Sequence, residues 1–294
     1  MLIAIGVTPD ESSGDALALG AVLCRSLGAD PVLVHVYPEA YDPARVGHVD
    51  AEWTAFLREQ AADVLAEATE EMAEAQGFAG AATAMHGHRS SGVGLNETAT
   101  ALGADMIVVG SSSGASNGRF QVGSTADQLL HGSAFPVCLA PVGYRRTAPR
   151  SIGRIVVAFQ NTTESQDALL RAVELAECSG SLVAPLTVLV RHRTYGSDLG
   201  SAAEQAVIAE QREEAEASQA RALRDVPASL RGDSVIAVGD SPLAALQRLD
   251  WRGDEVLLLS SSKEGKIMRV FLGDMTYKLI RATPVPAIVL PRRT

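Results

Sequence analysis

The chain has 294 residues and a formal net charge of −10; 47% of its residues are hydrophobic but only 4% aromatic. That length suits about two domains, with cores of Ala, Val, Leu and Ile of the kind that covers buried parallel strands with helices. The acidic balance argues against nucleic acid and anionic lipid as partners, and no unbroken apolar run reaches the ~18 residues of a membrane-inserted helix.

The apolar run Leu2 to Val7 meets Thr8-Pro9-Asp10-Glu11 at once, so Ile3–Thr8 reads as a first strand and not as a cleavable signal. Ser12 or Ser13 caps a helix that runs to about Gly28. Pro31–Tyr37 is a second strand, and Ala51–Gln76 an amphipathic helix whose acidic face, Glu67 to Glu74, is solvated surface. Ala82–His86 is a short third strand, Leu95–Leu102 a helix and Met106–Gly110 a fourth strand. Ser124–His131 is a helix and Val137–Ala140 the last strand of this half. Gly143 to Gly153 is polar, carries Pro and Gly, and reads as a linker. The pattern then repeats, with a long polar helix from about Ser201 to Leu223.

The repetition extends to the residues. Ile3 to Leu23 aligns without a gap on Ile155 to Leu175, placing Thr8 on Gln160 and Ser13 on Ser165. Ala104 to Pro141 aligns on Asp254 to Pro291, placing Gly123 on Gly273 and Pro136 on Pro286. A fixed offset over such lengths marks an internal duplication. Strands alternating with helices give an α/β fold with mainly parallel sheets and right-handed crossovers. In such sheets ligands bind beyond the carboxyl ends of the strands, here at the loops after Thr8 and after Gly110.

The second of these loops runs from Gly110 to Gly123-Ser124-Thr125. Glycines let backbone amides approach an anion, and Ser124 would cap a helix whose N-terminus attracts phosphate. Arg119 offers a countercharge. No Lys follows Gly123, so this is not a Walker loop. A plain Gly/Ser-rich connection is the alternative.

The opening strand, the Ser-x-x-Ala-Leu helix start, His35 in the second strand and the late Gly-rich loop together resemble the universal stress protein family, over both halves. The resemblance implies two tandem five-stranded parallel-sheet sandwiches of the adenine-nucleotide alpha-hydrolase-like type, spanning 1–143 and 152–294. It implies a stress-response regulator without catalysis, binding ATP or a related adenine nucleotide in its first domain. The candidate nucleotide-binding residues it implies there are Thr8, Pro9, Val36, Gly110, Ser113, Gly114, Gly123, Ser124 and Thr125, of which Gly110, Gly123 and Ser124 match the family's pattern. Two depart from it: Thr8 stands where the family has an Asp that contacts the adenosine part, and Ser113 where it has a Gly. The second domain departs further, with Gln160, Ser260, Lys263 and Asp274 at the matching positions and only Gly273 kept, so it is expected to be empty of nucleotide. The last strands are expected to pair the two halves as an internal pseudo-dimer. The resemblance also allows a homodimer and an unidentified protein partner. The alternative function is a nucleotide-independent scaffold.

Other constellations are weaker. His86 and His88 share a strand face but have no third metal ligand nearby in sequence. No nucleophile, base and acid set emerges among the serines. Cys24, Cys138 and Cys178 are few and separated, which excludes a zinc-thiolate signature and a closed disulfide framework and suits a reducing, cytoplasmic setting; Cys138 reads as core.

Overall fold

Short runs of Val, Ile and Leu, each closed by Gly, Pro or a polar turn, alternate with Ala- and Leu-rich segments of helical period, and the chain follows that pattern. The computed structural model describes the backbone of residues 1–39, 48–112, 118–191, 199–260 and 274–291. The first half contains β1 (Leu2–Gly6), α1 (Ser12–Leu27), β2 (Asp30–Tyr37), α2 (His48–Glu74), β3 (Ala82–Gly87), α3 (Ser91–Leu102), β4 (Met106–Gly110), α4 (Ser124–Gly132) and β5 (Val137–Ala140). The second half contains β6 (Arg154–Ala158), α5 (Thr163–Ser179), β7 (Leu182–Val190), α6 (Leu199–Ala222), β8 (Val235–Gly239), α7 (Pro242–Leu246), β9 (Glu255–Ser260), α8 (Asp274–Ala282) and β10 (Ala287–Leu290).

The strands form one ten-stranded sheet in the order β3-β2-β1-β4-β5-β10-β9-β6-β7-β8. Pairing is parallel inside each half. At the seam β5 and β10 run antiparallel, with Cys138 opposite Ile288 and Leu139 opposite Ala287. The last strands therefore pair the two halves through a shared sheet. Alternate residues of each strand face opposite ways, so two cores form. One packs Ile3, Ile5, Val108, Cys138, Ile155 and Ile288 against α1 and α5. The other packs Val34, Ile107, Val109, Leu257 and Val289 against α3, α4 and α8. Each core continues across the seam. Cys24 and Cys138 belong to the first; burial pushes both thiols up to about 12, so they stay protonated and act as small apolar fillers.

Several element limits differ from the sequence expectation; β1 ends at Gly6, so Thr8 lies in the turn beyond the strand and not in it. α2 starts at His48, three residues early. α3 starts at Ser91, four residues before Leu95. The duplication predicts a counterpart of the Leu95–Leu102 helix between β8 and β9, and α7 there spans five residues. Its end is closed by Trp251, whose Nε1–H donates to the Leu246 carbonyl at 3.0 Å.

The linker is docked along α1. The Asp15 carboxylate, 5% exposed, accepts from the Gly143 N–H at 2.8 Å and the Arg145 N–H at 2.9 Å. The Ser26 hydroxyl accepts from the Ile152 N–H at 2.9 Å, and the Arg25 Nε–H donates to the Arg150 carbonyl at 2.8 Å. Replacing Asp15 by Ala strands two amides beside the core, and charged acceptors make the stronger hydrogen bonds. Asp15→Ala is expected to cost about 2–3 kcal/mol in urea unfolding. A loss below about 0.5 kcal/mol would mean that water replaces the carboxylate without penalty.

Candidate functional site

At the carboxyl ends of β1 and β4, the chain enters α1 and α4 through turns that leave a cleft of about 220 Å³. β1 and β4 are neighbours in the sheet, and their crossovers leave on opposite sides, which opens the crevice between them.

Gly110 ends β4 against the start of α1. A Cβ there would lie 2.3 Å from the Ser12 carbonyl oxygen, so backbone meets backbone and no side chain fits. Gly123 precedes α4 in an extended conformation, and a Cβ there would lie 2.9 Å from the Ser112 Cβ. Among the described residues no side chain caps the amides of the first turn of α4, whose residues Ser124, Thr125 and Ala126 line the cleft. Those amides carry the partial positive charge of a helix N-terminus. The loop between β4 and α4 is tied at its neck: the Gln121 N–H donates to the Ser111 Oγ at 2.8 Å, and the Ser112 N–H donates to the Gln121 carbonyl at 3.2 Å.

On the opposite wall, Ser13 closes the turn after β1. Its Oγ accepts from the Thr8 N–H at 2.6 Å and donates to the Thr8 carbonyl at 2.6 Å. The capping work falls to Asp10, whose Oδ1 accepts from the Ser12 N–H at 2.8 Å, from the Ser12 hydroxyl, and from the Thr8 hydroxyl at 3.1 Å. Beneath this turn the buried His35 holds its Nδ1 2.8 Å from the Val7 carbonyl.

The structure brings Thr8, Val36, Gly110, Gly123, Ser124 and Thr125 together around the cleft. Pro9 is exposed and is not a lining residue, and neither is Arg119. Ser113 and Gly114 lie outside the described residues. Two capping expectations are corrected. Ser124 is the first helical residue of α4, and the cap position belongs to Gly123. Ser12 and Ser13 lie inside α1, after Glu11. Sequence reasoning missed Asp10, Ser12, Ser91, Ser111 and Ser112 as lining residues. Asp10 was open to detection as a carboxylate two residues beyond Thr8; Ser91 was hidden by the late start assigned to its helix.

A matching cleft of about 280 Å³ lies in the second half, lined among others by Phe159, Gln160, Glu164, Leu259, Ser260, Met275 and Leu279. Lys263, Lys266 and Gly273 lie outside the described residues, as does the side chain of Asp274. The bond made by His35 has its counterpart in the Thr187 hydroxyl, which donates to the Phe159 carbonyl at 2.9 Å. Away from both clefts, on the edge strand β3, His86 Nε2 lies 3.2 Å from Glu97 Oε2. Among the described residues no group of three His, Cys, Asp or Glu is placed to hold a metal ion. Among them also, no helix is long and apolar enough to cross a membrane.

Comparison with known proteins agrees with this arrangement. The family described as "Universal stress protein family" matches residues 1–141 and again residues 151–291. Universal stress protein Rv2319c of Mycobacterium tuberculosis is 31% identical over 297 residues, covering 99% of this chain and 100% of the relative. Universal stress protein Mb2346c of Mycobacterium bovis matches with the same identity and coverage. Among solved structures, a universal stress protein from Archaeoglobus fulgidus superposes with a TM-score of 0.64 at 19% identity, over 99% of this chain and 98% of that one. A putative universal stress protein from Pseudomonas aeruginosa superposes with a TM-score of 0.58 at 15% identity, over 99% and 93%. With the family matched twice along its length and relatives aligned from end to end, the chain belongs to the universal stress protein family.

Proposed function

We propose that the chain is a non-catalytic, cytoplasmic stress-response regulator that binds ATP or a related adenine nucleotide in its first domain, residues 1–143, while the second, residues 152–294, takes none. The observation that carries this reading is the first turn of α4, whose cap position, Gly123, has no side chain to occupy its amides and which lines the cleft directly behind two glycines that leave no space for a Cβ. The chemistry fits phosphate: backbone amides supply donors, and the helix dipole supplies the field. Val34, Val36 and Leu95 give the same cleft an apolar wall for a base. Asp10 supplies the carboxylate that position 8 lacks, at the end of the cleft that would face the ribose.

The two ends are separable by experiment. Gly123→Asp puts a negative charge and added bulk against Ser112 and α4. Calorimetric titration is expected to show ATP binding weakened about 10- to 100-fold, equivalent to about 1–3 kcal/mol, with adenosine binding little changed. Asp10→Ala is expected to weaken ATP and adenosine alike. Wild-type protein with no affinity for ATP, ADP or AMP up to millimolar concentration would overturn the nucleotide reading. In that event the scaffold reading leads, and Trp53 and Phe56 favour it: their rings stack at 5.4 Å on α2 while 56% and 47% exposed.

A further inference from the structure

α3 begins with residues that do not favour a helix. Its second and fourth positions are Gly92 and Gly94, which cost a helical first turn backbone entropy. Its cap residue, Ser90, has the extended backbone of an N-cap, yet its hydroxyl makes no cap bond within α3. That hydroxyl lies 2.6 Å from Gln128 Oε1 of α4, and the Gly92 N–H donates to the same oxygen at 3.0 Å. An N–H can only donate, so the Gln128 atom that faces Gly92 is the amide oxygen, and Ser90 gives it a proton as well. The start of α3 is thus capped from the neighbouring helix.

The contact is close. A Cβ on Gly92 would lie 2.6 Å from the Gln128 Cβ and 2.7 Å from the Thr125 carbonyl oxygen, so the backbone of α3 rests on the first turn of α4. A Cβ on Gly94 would lie 2.7 Å from a Val36 methyl, which seats the same helix on β2. These approaches bring Ser91 and Leu95 into the lining of the first cleft together with Ser124 and Thr125. The second half is built otherwise. There Ser241 caps its own helix, its Oγ accepting from the Ala244 N–H at 3.1 Å. The position of Gln128 is held by Lys278, whose ammonium donates and cannot accept. Among the described residues that line the second cleft, none comes from α7. The helix capped by its neighbour reaches its cleft, and the helix that caps itself does not.

We propose that Gln128 is a positioning residue of the first cleft: its amide oxygen holds Ser91 and Leu95, at the wall for the base, in register with the first turn of α4, which takes the phosphates. This rests on the nucleotide reading above. Without that oxygen, Ser90 is free to cap α3 itself as Ser241 caps α7, so the helix survives and its seat on α4 is lost.

The test uses the full chain and adenosine, an uncharged probe of the base end. Gln128→Met keeps the length of the side chain and removes the acceptor. It is expected to weaken adenosine binding about tenfold in calorimetric titration, with the midpoint of urea unfolding close to that of wild type. Gln128→Glu keeps an acceptor for both bonds, and its charge has no counterpart on a neutral ligand, so it is expected to bind adenosine within about twofold of wild type. A second readout needs no ligand: the Leu95 methyl resonances are expected to move in Gln128→Met and to stay in place in Gln128→Glu. Gln128→Ala replaces the methionine variant if circular dichroism shows that variant unfolded. Wild-type protein that binds neither adenosine nor ATP overturns the nucleotide reading, and the Leu95 resonances then decide alone whether Gln128 sets the place of α3. Adenosine binding unchanged in the folded acceptor-free variant, an equal loss in the glutamate variant, or unmoved Leu95 resonances would each overturn the positioning role.

Discussion

Arg154→Met is expected to lower the unfolding free energy by about 3–5 kcal/mol, the range found when one partner of a buried ion pair is removed. Arg154 opens β6 and Glu255 opens β9, directly opposite it in register. Their side chains are 10% and 0% exposed. The Arg154 Nε–H donates to Glu255 Oε1 at 2.6 Å, and the Arg252 N–H donates to Oε2 at 2.7 Å. Without the guanidinium, the carboxylate keeps one backbone donor and no countercharge in a place that water does not reach. The double variant Arg154→Met with Glu255→Leu is expected to recover most of the loss, because it leaves no buried charge behind. The pair lies at the amino end of the strands, opposite the clefts, so ATP affinity should be unaffected. Urea unfolding of the single and double variants measures this; a single-variant loss below about 1 kcal/mol would put the pair in contact with solvent.

Leu139→Pro is expected to cost about 2–4 kcal/mol and to expand the chain. Leu139 lies in β5, flanked by Val109 of β4 and Ala287 of β10. Proline has no N–H for either neighbour, and its ring is tolerated in sheets only at edges and bulges. β5 is as far from an edge as this sheet allows, and Leu139 is 1% exposed. The disturbance falls on the strand that joins both cores, so unfolding should lose sharpness as well as midpoint. Unchanged stability and an unchanged hydrodynamic radius would show that β5 and β10 are not joined in solution.

The fold was legible because duplication supplies each strand twice. Ile3 to Leu23 and its copy state the same strand and helix in different residues, and the Pro-bounded runs at 136–141 and 286–291 mark the seam strands. Boundaries were less legible where local chemistry is ambiguous. Gly92 and Gly94 are poor helix formers, so the first turn of α3 did not show in the pattern. The end of α7 did not show either: past it Trp251 reaches back to the Leu246 carbonyl, a contact that periodicity does not encode. At the candidate site, the glycines were readable from spacing, since Gly110 and Gly123 stand at fixed places around a loop. The carboxylate was not: Asp10 enters the cleft through a turn that Ser13 closes, and only the folded turn shows which of Thr8, Pro9 and Asp10 faces inward.

The antiparallel seam has a consequence for mass action. Two separate chains joined by such a seam would part on dilution, so their assembly would vary with abundance. Here the linker presents each half to the other at an effective concentration on the order of millimolar, whatever the amount of protein present. The shared sheet is therefore as complete in a scarce protein as in an abundant one. Covalent joining also removes a constraint of symmetry. In a two-fold pair of identical subunits every substitution appears twice, once on each side. In this chain Gly110 and Ser260 occupy equivalent places and differ, which lets the two clefts diverge while the seam between them stays intact.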